Sequence, residues 1–219
     1  MRLSYFLLFA LLGGALATAG CGDGGSTGTG GSGGELGTGG MGGGGAGGSG
    51  SDDPCFGQTA CIVCPKDALP PEVHPFSGAG LRVPVDFTAT PDGAVVQGGT
   101  VSIEVAGQIV VSIPLSAEAF VSLGSTSTYS AVAGGDGALD IVIPEQMVAG
   151  DELVIDAGSG SADFTVADDA TELVIGLGSI VLNLMITSPL EIDLPLDASQ
   201  TGGCTIEGDG VAIPVEAAP

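Results

Sequence analysis

Leu81-Arg82-Val83-Pro84-Val85-Asp86-Phe87-Thr88-Ala89-Thr90 alternates apolar and polar positions and runs into the turn triplet Pro91-Asp92-Gly93. A period of two puts Val83, Val85 and Phe87 on one face and Asp86, Thr88 and Thr90 on the other, the pattern of a half-buried antiparallel strand. The same alternation continues downstream. Val101, Ile103 and Val105 alternate with Ser102 and Glu104, and Phe164 and Val166 flank Thr165. Further apolar runs fall at 109–115, 139–143, 153–156, 180–186, 190–196 and 211–215. Turn-forming groups separate them, among them Gly134 to Gly137, Gly150-Asp151 and Gly208 to Gly210.

About nine or ten short strands at this spacing predict an all-β, antiparallel β-sandwich, with a closed barrel as the alternative. One stretch reads as helix. Ser116 can cap it, Glu118 suits the positive end of the helix dipole, and Phe120 and Leu123 fall on one side.

Composition changes sharply along the 219 residues and divides the chain into four parts. Residues 1–20 form an apolar leader. Residues 21–51 hold a cysteine followed by a glycine tract, 52–80 a cysteine-containing segment, and 81–219 the strand pattern. Met1-Arg2-Leu3-Ser4 gives the leader a positive start, and about a dozen apolar residues follow, too few to span a bilayer.

The leader ends in Thr18-Ala19-Gly20-Cys21, which resembles the lipobox of bacterial lipoproteins. The resemblance covers the first 21 residues, with Thr18 where leucine is usual. It implies cleavage before Cys21 and acylation of its thiol, and Gly22 resembles the residue that follows the acylated cysteine in lipoproteins sorted to the outer membrane. Parity agrees with this reading. Lipidating Cys21 leaves Cys55, Cys61, Cys64 and Cys204, an even set suited to disulfides in an oxidising compartment. Three of these lie before the strand region and one near its end, so at least one bond is expected to staple the two. Such a long loop is expected to stabilise the fold by on the order of 4 kcal/mol.

Residues 22–51 contain 18 glycines and no apolar face, so they predict a flexible tether. Its expected root-mean-square span is roughly 30 Å and its limit about 100 Å. Two catalytic-looking strings occur there. Gly30-Gly31-Ser32-Gly33-Gly34 matches a nucleophile elbow, and Gly28-Thr29-Gly30-Gly31-Ser32-Gly33 matches a dinucleotide fingerprint. Neither has the flanking strand and helix that such motifs require, and a glycine tract generates both by chance.

A second resemblance rests on Val83-Pro-Val-Asp-Phe-Thr-Ala-Thr-Pro-Asp-Gly, on Val96-Gln-Gly-Gly-Thr-Val-Ser-Ile and on the predicted helix at Ser116. These stretches resemble exported Ig-like β-sandwich modules of bacterial surface proteins. They are similar in particular to a domain of unknown function in secreted actinobacterial proteins. The resemblance implies a sandwich at a cell envelope and no particular activity.

The formal charge is -23, with Arg2, Lys66 and Arg82 the only Lys or Arg residues. Nucleic acid is excluded as a partner, because phosphate binding needs cations. An anionic lipid surface repels such a domain as well, so membrane attachment is expected through a covalent lipid on Cys21.

Catalytic chemistry has few candidates. Cys61-Ile62-Val63-Cys64 has redox spacing but lacks a βαβ setting, so structural disulfides are expected. His74 is the sole histidine and sits beside Pro75, where it reads as a loop residue rather than a catalytic base. Asp92, Asp136, Asp209, Asp168, Asp169 and Glu172 offer hard oxygen ligands, but no calcium loop frames them. With no Trp and Tyr129 as the one tyrosine beyond the leader, a sugar-stacking cleft is not expected.

No catalytic residue, metal or cofactor is therefore expected. The anticipated role is a lipid-anchored, non-catalytic envelope module that binds a protein or assembles with neighbours. The alternatives are an apolar-ligand carrier, with 180–186 lining its cavity, and an acid-site hydrolase.

Overall fold

Val83, Val85 and Phe87 are buried while Asp86, Thr88 and Thr90 are exposed, as the alternation requires. The computed structural model describes residues 53–200 and 202–218. The leader 1–20, the acylation candidate Cys21 and the tract 22–51 lie outside the described residues.

Among the described residues eleven strands occur in chain order: β1 (Ala60–Pro65), β2 (Gly80–Pro91), β3 (Thr100–Val121), β4 (Thr126–Ala133), β5 (Gly135–Asp136), β6 (Ala138–Val142), β7 (Gln146–Val166), β8 (Glu172–Ser188), β9 (Ile192–Asp197), β10 (Thr205–Glu207) and β11 (Val211–Pro214). A 3-10 turn (Lys66–Ala68) and a short helical turn, α1 (His74–Ser77), lie between β1 and β2. All strand pairings are antiparallel. The sheet takes in Ala60–Pro65, and so begins before the strand region that composition delimits at Leu81.

The protein is a β-sandwich whose two layers share their longest strands. In the first layer the order is β10, β1, β2, the first half of β3, the second half of β7, then β5. In the second, β8 is central. β11 and β9 run along one of its edges and β4 and the end of β3 along the other, with β6 beyond β4 and the start of β7 beyond β3.

The passage between layers is visible in β7. Gln146 is paired with Val121 at one end of β3, and Asp156 with Gln108 much further back. Ten residues of straight strand would separate Gln146 and Asp156 by about 33 Å. Yet the Gln146 side-chain amide donates to the Asp156 carbonyl at 2.8 Å and accepts its N–H at 2.9 Å. The β3–β7 ribbon therefore folds over, at residues 113–116 on β3 and at Gly150 on β7. The register breaks between Ser112 and Ala117, and Gly150 takes a φ of 141°. Glycine tolerates that angle because it has no Cβ to clash.

The predicted helix from Ser116 is not formed. Residues 117–121 continue β3, with Ala117, Ala119 and Val121 buried and Glu118 exposed. Helix-favouring Ala and Glu are overridden because period-two burial against the opposite layer is worth more than the weak local preference. The expected nine or ten short strands are eleven of uneven length. Runs read separately at 101–105 and 109–115 belong to the 22-residue β3, and 153–156 and 164–166 to the 21-residue β7.

Between the layers lies one apolar core. Ile62, Ile103, Ile109, Leu153, Ile155 and Phe164 of the first layer meet Tyr129, Leu173, Ile175, Ile180 and Leu182 of the second, all essentially without solvent exposure. Each such side chain contributes roughly 1.5–3 kcal/mol on burial. Phe87 and Tyr129 pack across the layers with ring centroids 5.0 Å apart. Gly107 leaves room for them, since a Cβ there would stand 3.0 Å from the Phe87 Cβ and 3.3 Å from the Tyr129 hydroxyl.

All four described cysteines are paired, Cys55 with Cys61 and Cys64 with Cys204. The second bond follows from register. Ile62 pairs with Ile206 and Val63 with Thr205, so one further step sets Cys64 opposite Cys204. It closes a separation of 140 residues and is the expected staple between the first segment and the end of the strand region. Disulfides persist in oxidising, non-cytoplasmic compartments, and this domain carries two.

Candidate functional site

The cysteines take structural places. Cys61 and Cys64 lie on β1 three residues apart, which directs them to opposite faces, and each bonds a different partner. They do not form the redox pair that their spacing suggests.

His74 opens α1, where its Nε2–H donates to the Leu69 carbonyl at 3.0 Å. The imidazole is thereby engaged in tying down the loop before β2. Arg82 on β2 bridges two carboxylates, Asp53 and Glu207, each at 3.1 Å. The Cys55 backbone N–H holds the Asp53 carboxyl below its usual pKa against desolvation, with Arg82 adding to the lowering. Asp197, at the end of β9, is lowered in the same sense by hydrogen bonds from Ser199. Both are turn and strand-end devices that favour the charged carboxylate.

The calcium candidates are dispersed. Asp136 lies on β5 and accepts the Gly137 N–H at 2.9 Å. Asp168 and Asp169 lie between β7 and β8, Glu172 opens β8, Asp92 follows β2, and Asp209 sits between β10 and β11. Among the described residues, no three His, Cys, Asp or Glu side chains come together as a cation site.

The surface carries a small apolar cleft and larger open grooves. An apolar cleft at the α1 end of the sandwich is lined by Val73, Leu81, Val111, Ile113, Ile186 and Leu194 among others, and holds about 50 Å³. Small-molecule sites generally hold roughly 300–1,000 Å³. Two open grooves hold about 460 Å³ each. One runs along Gly176 and Gly178 with Asp209 its sole ionisable side chain, and the other along Pro91 and Val215 with only Glu216.

The stretch 180–186 belongs to the central strand β8 rather than to a cavity wall. Ile180, Leu182, Leu184 and Ile186 point into the core, and Val181 and Met185 point outward. Met185 stays 43% exposed.

That outward methionine leads to the most distinctive surface feature. Phe120 is registered with Met185 of β8 on one side and with Met147 of β7 on the other. Directly paired residues share a face and lie about 4.5–5.5 Å apart at Cβ. The three therefore form an apolar stripe across the outside of the second layer. Met147 is 63% exposed, and Phe120 is half-buried. Leu123, 75% exposed, follows the end of β3 beside them. Glu118 flanks Phe120 on its own face of β3, and Asp193 of β9 is registered with Met185. Sequence reasoning misses this stripe because it assigns Phe120 to a helix and leaves Met147 unread. The available signal is that Met147 and Met185 occupy outward positions of alternating runs.

Comparison of the chain with protein-family models, with curated proteins and with solved structures finds no match.

Proposed function

We propose that the protein is an exported lipoprotein: a Cys21-acylated, lipid-anchored envelope protein that displays a non-catalytic β-sandwich on a glycine tether. The observation that carries this reading is the pairing of every described cysteine, Cys55 with Cys61 and Cys64 with Cys204. Of the chain's five cysteines only Cys21 is then left over, directly after a leader of signal-peptide character. Acylation gives that thiol a role and supplies the membrane affinity that a chain of charge -23 lacks. Gly22 favours outer-membrane sorting in a cell with two membranes, and 22–51 sets the reach of the domain from the lipid.

The display role is supported by the surface. Asp53, Arg82 and Glu207 are engaged in an ion-pair bridge, while an apolar stripe is left on an outer face. Such a face suits contact with another protein better than turnover of a small substrate.

Replacing Cys21 with Ser tests the anchor. The wild-type protein is expected in the membrane fraction after a high-salt wash, and Cys21→Ser in the soluble fraction. A Cys21→Ser protein that still sediments with washed membranes would refute the assignment.

A further inference from the structure

The outer side of β3 is mainly polar, with Ser102, Glu104, Gln108, Ser112 and Glu118 among its groups. Mid-strand it carries the smaller Val110, paired with Val154 of β7, and toward its end it gathers longer apolar side chains with its neighbours, through Met147, Phe120 and Met185. Leaving a large apolar side chain in water forfeits roughly 1.5–3 kcal/mol of burial. Methionine is unbranched and polarisable, so it moulds to varied apolar partners and recurs on binding surfaces.

The charge around the stripe decides between occupants. Glu118 and Asp193 border it, both exposed. The two cations among the described residues stand elsewhere: Lys66 directly follows β1, and Arg82 on β2 is tied to Asp53 and Glu207. A second copy of a chain with charge -23 is repelled from this face, as is an anionic lipid surface. A basic segment is attracted to it. Charge complementarity of this kind raises association rates and fixes register.

We infer that the Met147–Phe120–Met185 stripe is a docking surface for a basic protein segment carrying apolar side chains. Apolar groups of the segment pack on the two methionines and the edge of Phe120, while its cations meet Glu118 and Asp193. This rests on the reading of the domain as a binding module and names the chemistry of its partner.

The probe is a synthetic peptide of alternating lysine and leucine, followed by fluorescence anisotropy against the full-length protein. Lysine–serine and glutamate–leucine peptides serve as controls. The lysine–leucine peptide is expected to bind at least about tenfold more tightly than either control. The M147S/M185S variant is expected to lose about tenfold in affinity, while V142S, at the exposed valine of β6, keeps wild-type binding. Equal binding of the lysine–serine peptide would mean attraction by charge alone and overturn the inference. Absence of lysine–leucine binding, or unchanged binding by a folded M147S/M185S, would overturn it too.

Photocrosslinkers placed at 142, 147 and other outward positions in cells separate this failure from that of the module reading. Crosslinks to a defined protein from elsewhere, with none from 147, remove the stripe and keep the module. No crosslink from any outward position of either layer removes both.

Discussion

Phe87 on β2 and Tyr129 on β4 stack at 5.0 Å between ring centroids and 59° between planes, although their strands share no backbone ladder. The contact joins the two layers directly. A double-mutant cycle with Phe87→Leu and Tyr129→Leu is expected to give a coupling of about 0.5–1.5 kcal/mol in urea unfolding. Coupling near zero would show that the layers do not meet at this pair.

Tyr129 also reports on the core by titration. Burial pushes its phenol above the usual pKa near 10, and the Ser127 side chain opposes this only in part. The neutral phenol is thus favoured by folding. Its contribution is fully present below the unfolded pKa and is lost as pH rises through the higher folded value. The one other tyrosine is Tyr5, so alkaline absorbance titration of a protein produced without residues 1–20 follows this group alone. Ionisation is expected above pH 10 and together with unfolding, and an ordinary, reversible titration in the folded state would contradict the burial of Tyr129.

The two disulfides differ in the loop they close. In the chain-entropy model, a separation of 140 residues is worth about 5 kcal/mol and one of 6 residues about 2 kcal/mol. Removing Cys64 and Cys204 together is therefore expected to lower stability more than removing Cys55 and Cys61 together. Denaturant unfolding of the paired Cys→Ser variants checks the order. Reversal would show that the β1–β10 staple does not govern stability.

Substitutions from 117 to 121 separate strand from helix. Ala119→Asp places a charge in the core beside Val121 and is expected to cost several kcal/mol, of order 3 or more. Glu118→Ala is exposed and should stay within about 0.5 kcal/mol of wild type. Destabilisation recurring every three or four residues, rather than every two, would restore the helical reading.

Val83, Val85 and Phe87 reveal their strand because alternation is written in adjacent residues. The Cys64–Cys204 bond is foreshadowed by cysteine parity and by position near the two ends of the domain. The fold-over of β3 and β7 is not legible, because it depends on which strands come to pair, and Gly150 looks like any turn glycine. Residues 116–123 mislead for a related reason: their composition favours helix, and only the layer above Ala119 makes the extended form better. The Met147–Phe120–Met185 stripe is the extreme case. Met147 and Met185 lie 27 and 65 residues beyond Phe120 in the chain, and only register brings the three side by side.

The proposed lipid on Cys21 would anchor a fully oxidised domain. Mass spectrometry of the protein extracted from membranes tests it most directly, combining the N-terminal peptide mass with a count of free thiols. The expected result is a chain beginning at Cys21, carrying a diacylglyceryl mass on that residue, with no free thiol among Cys55, Cys61, Cys64 and Cys204. An unmodified Cys21, or a chain that keeps residues 1–20, would contradict it.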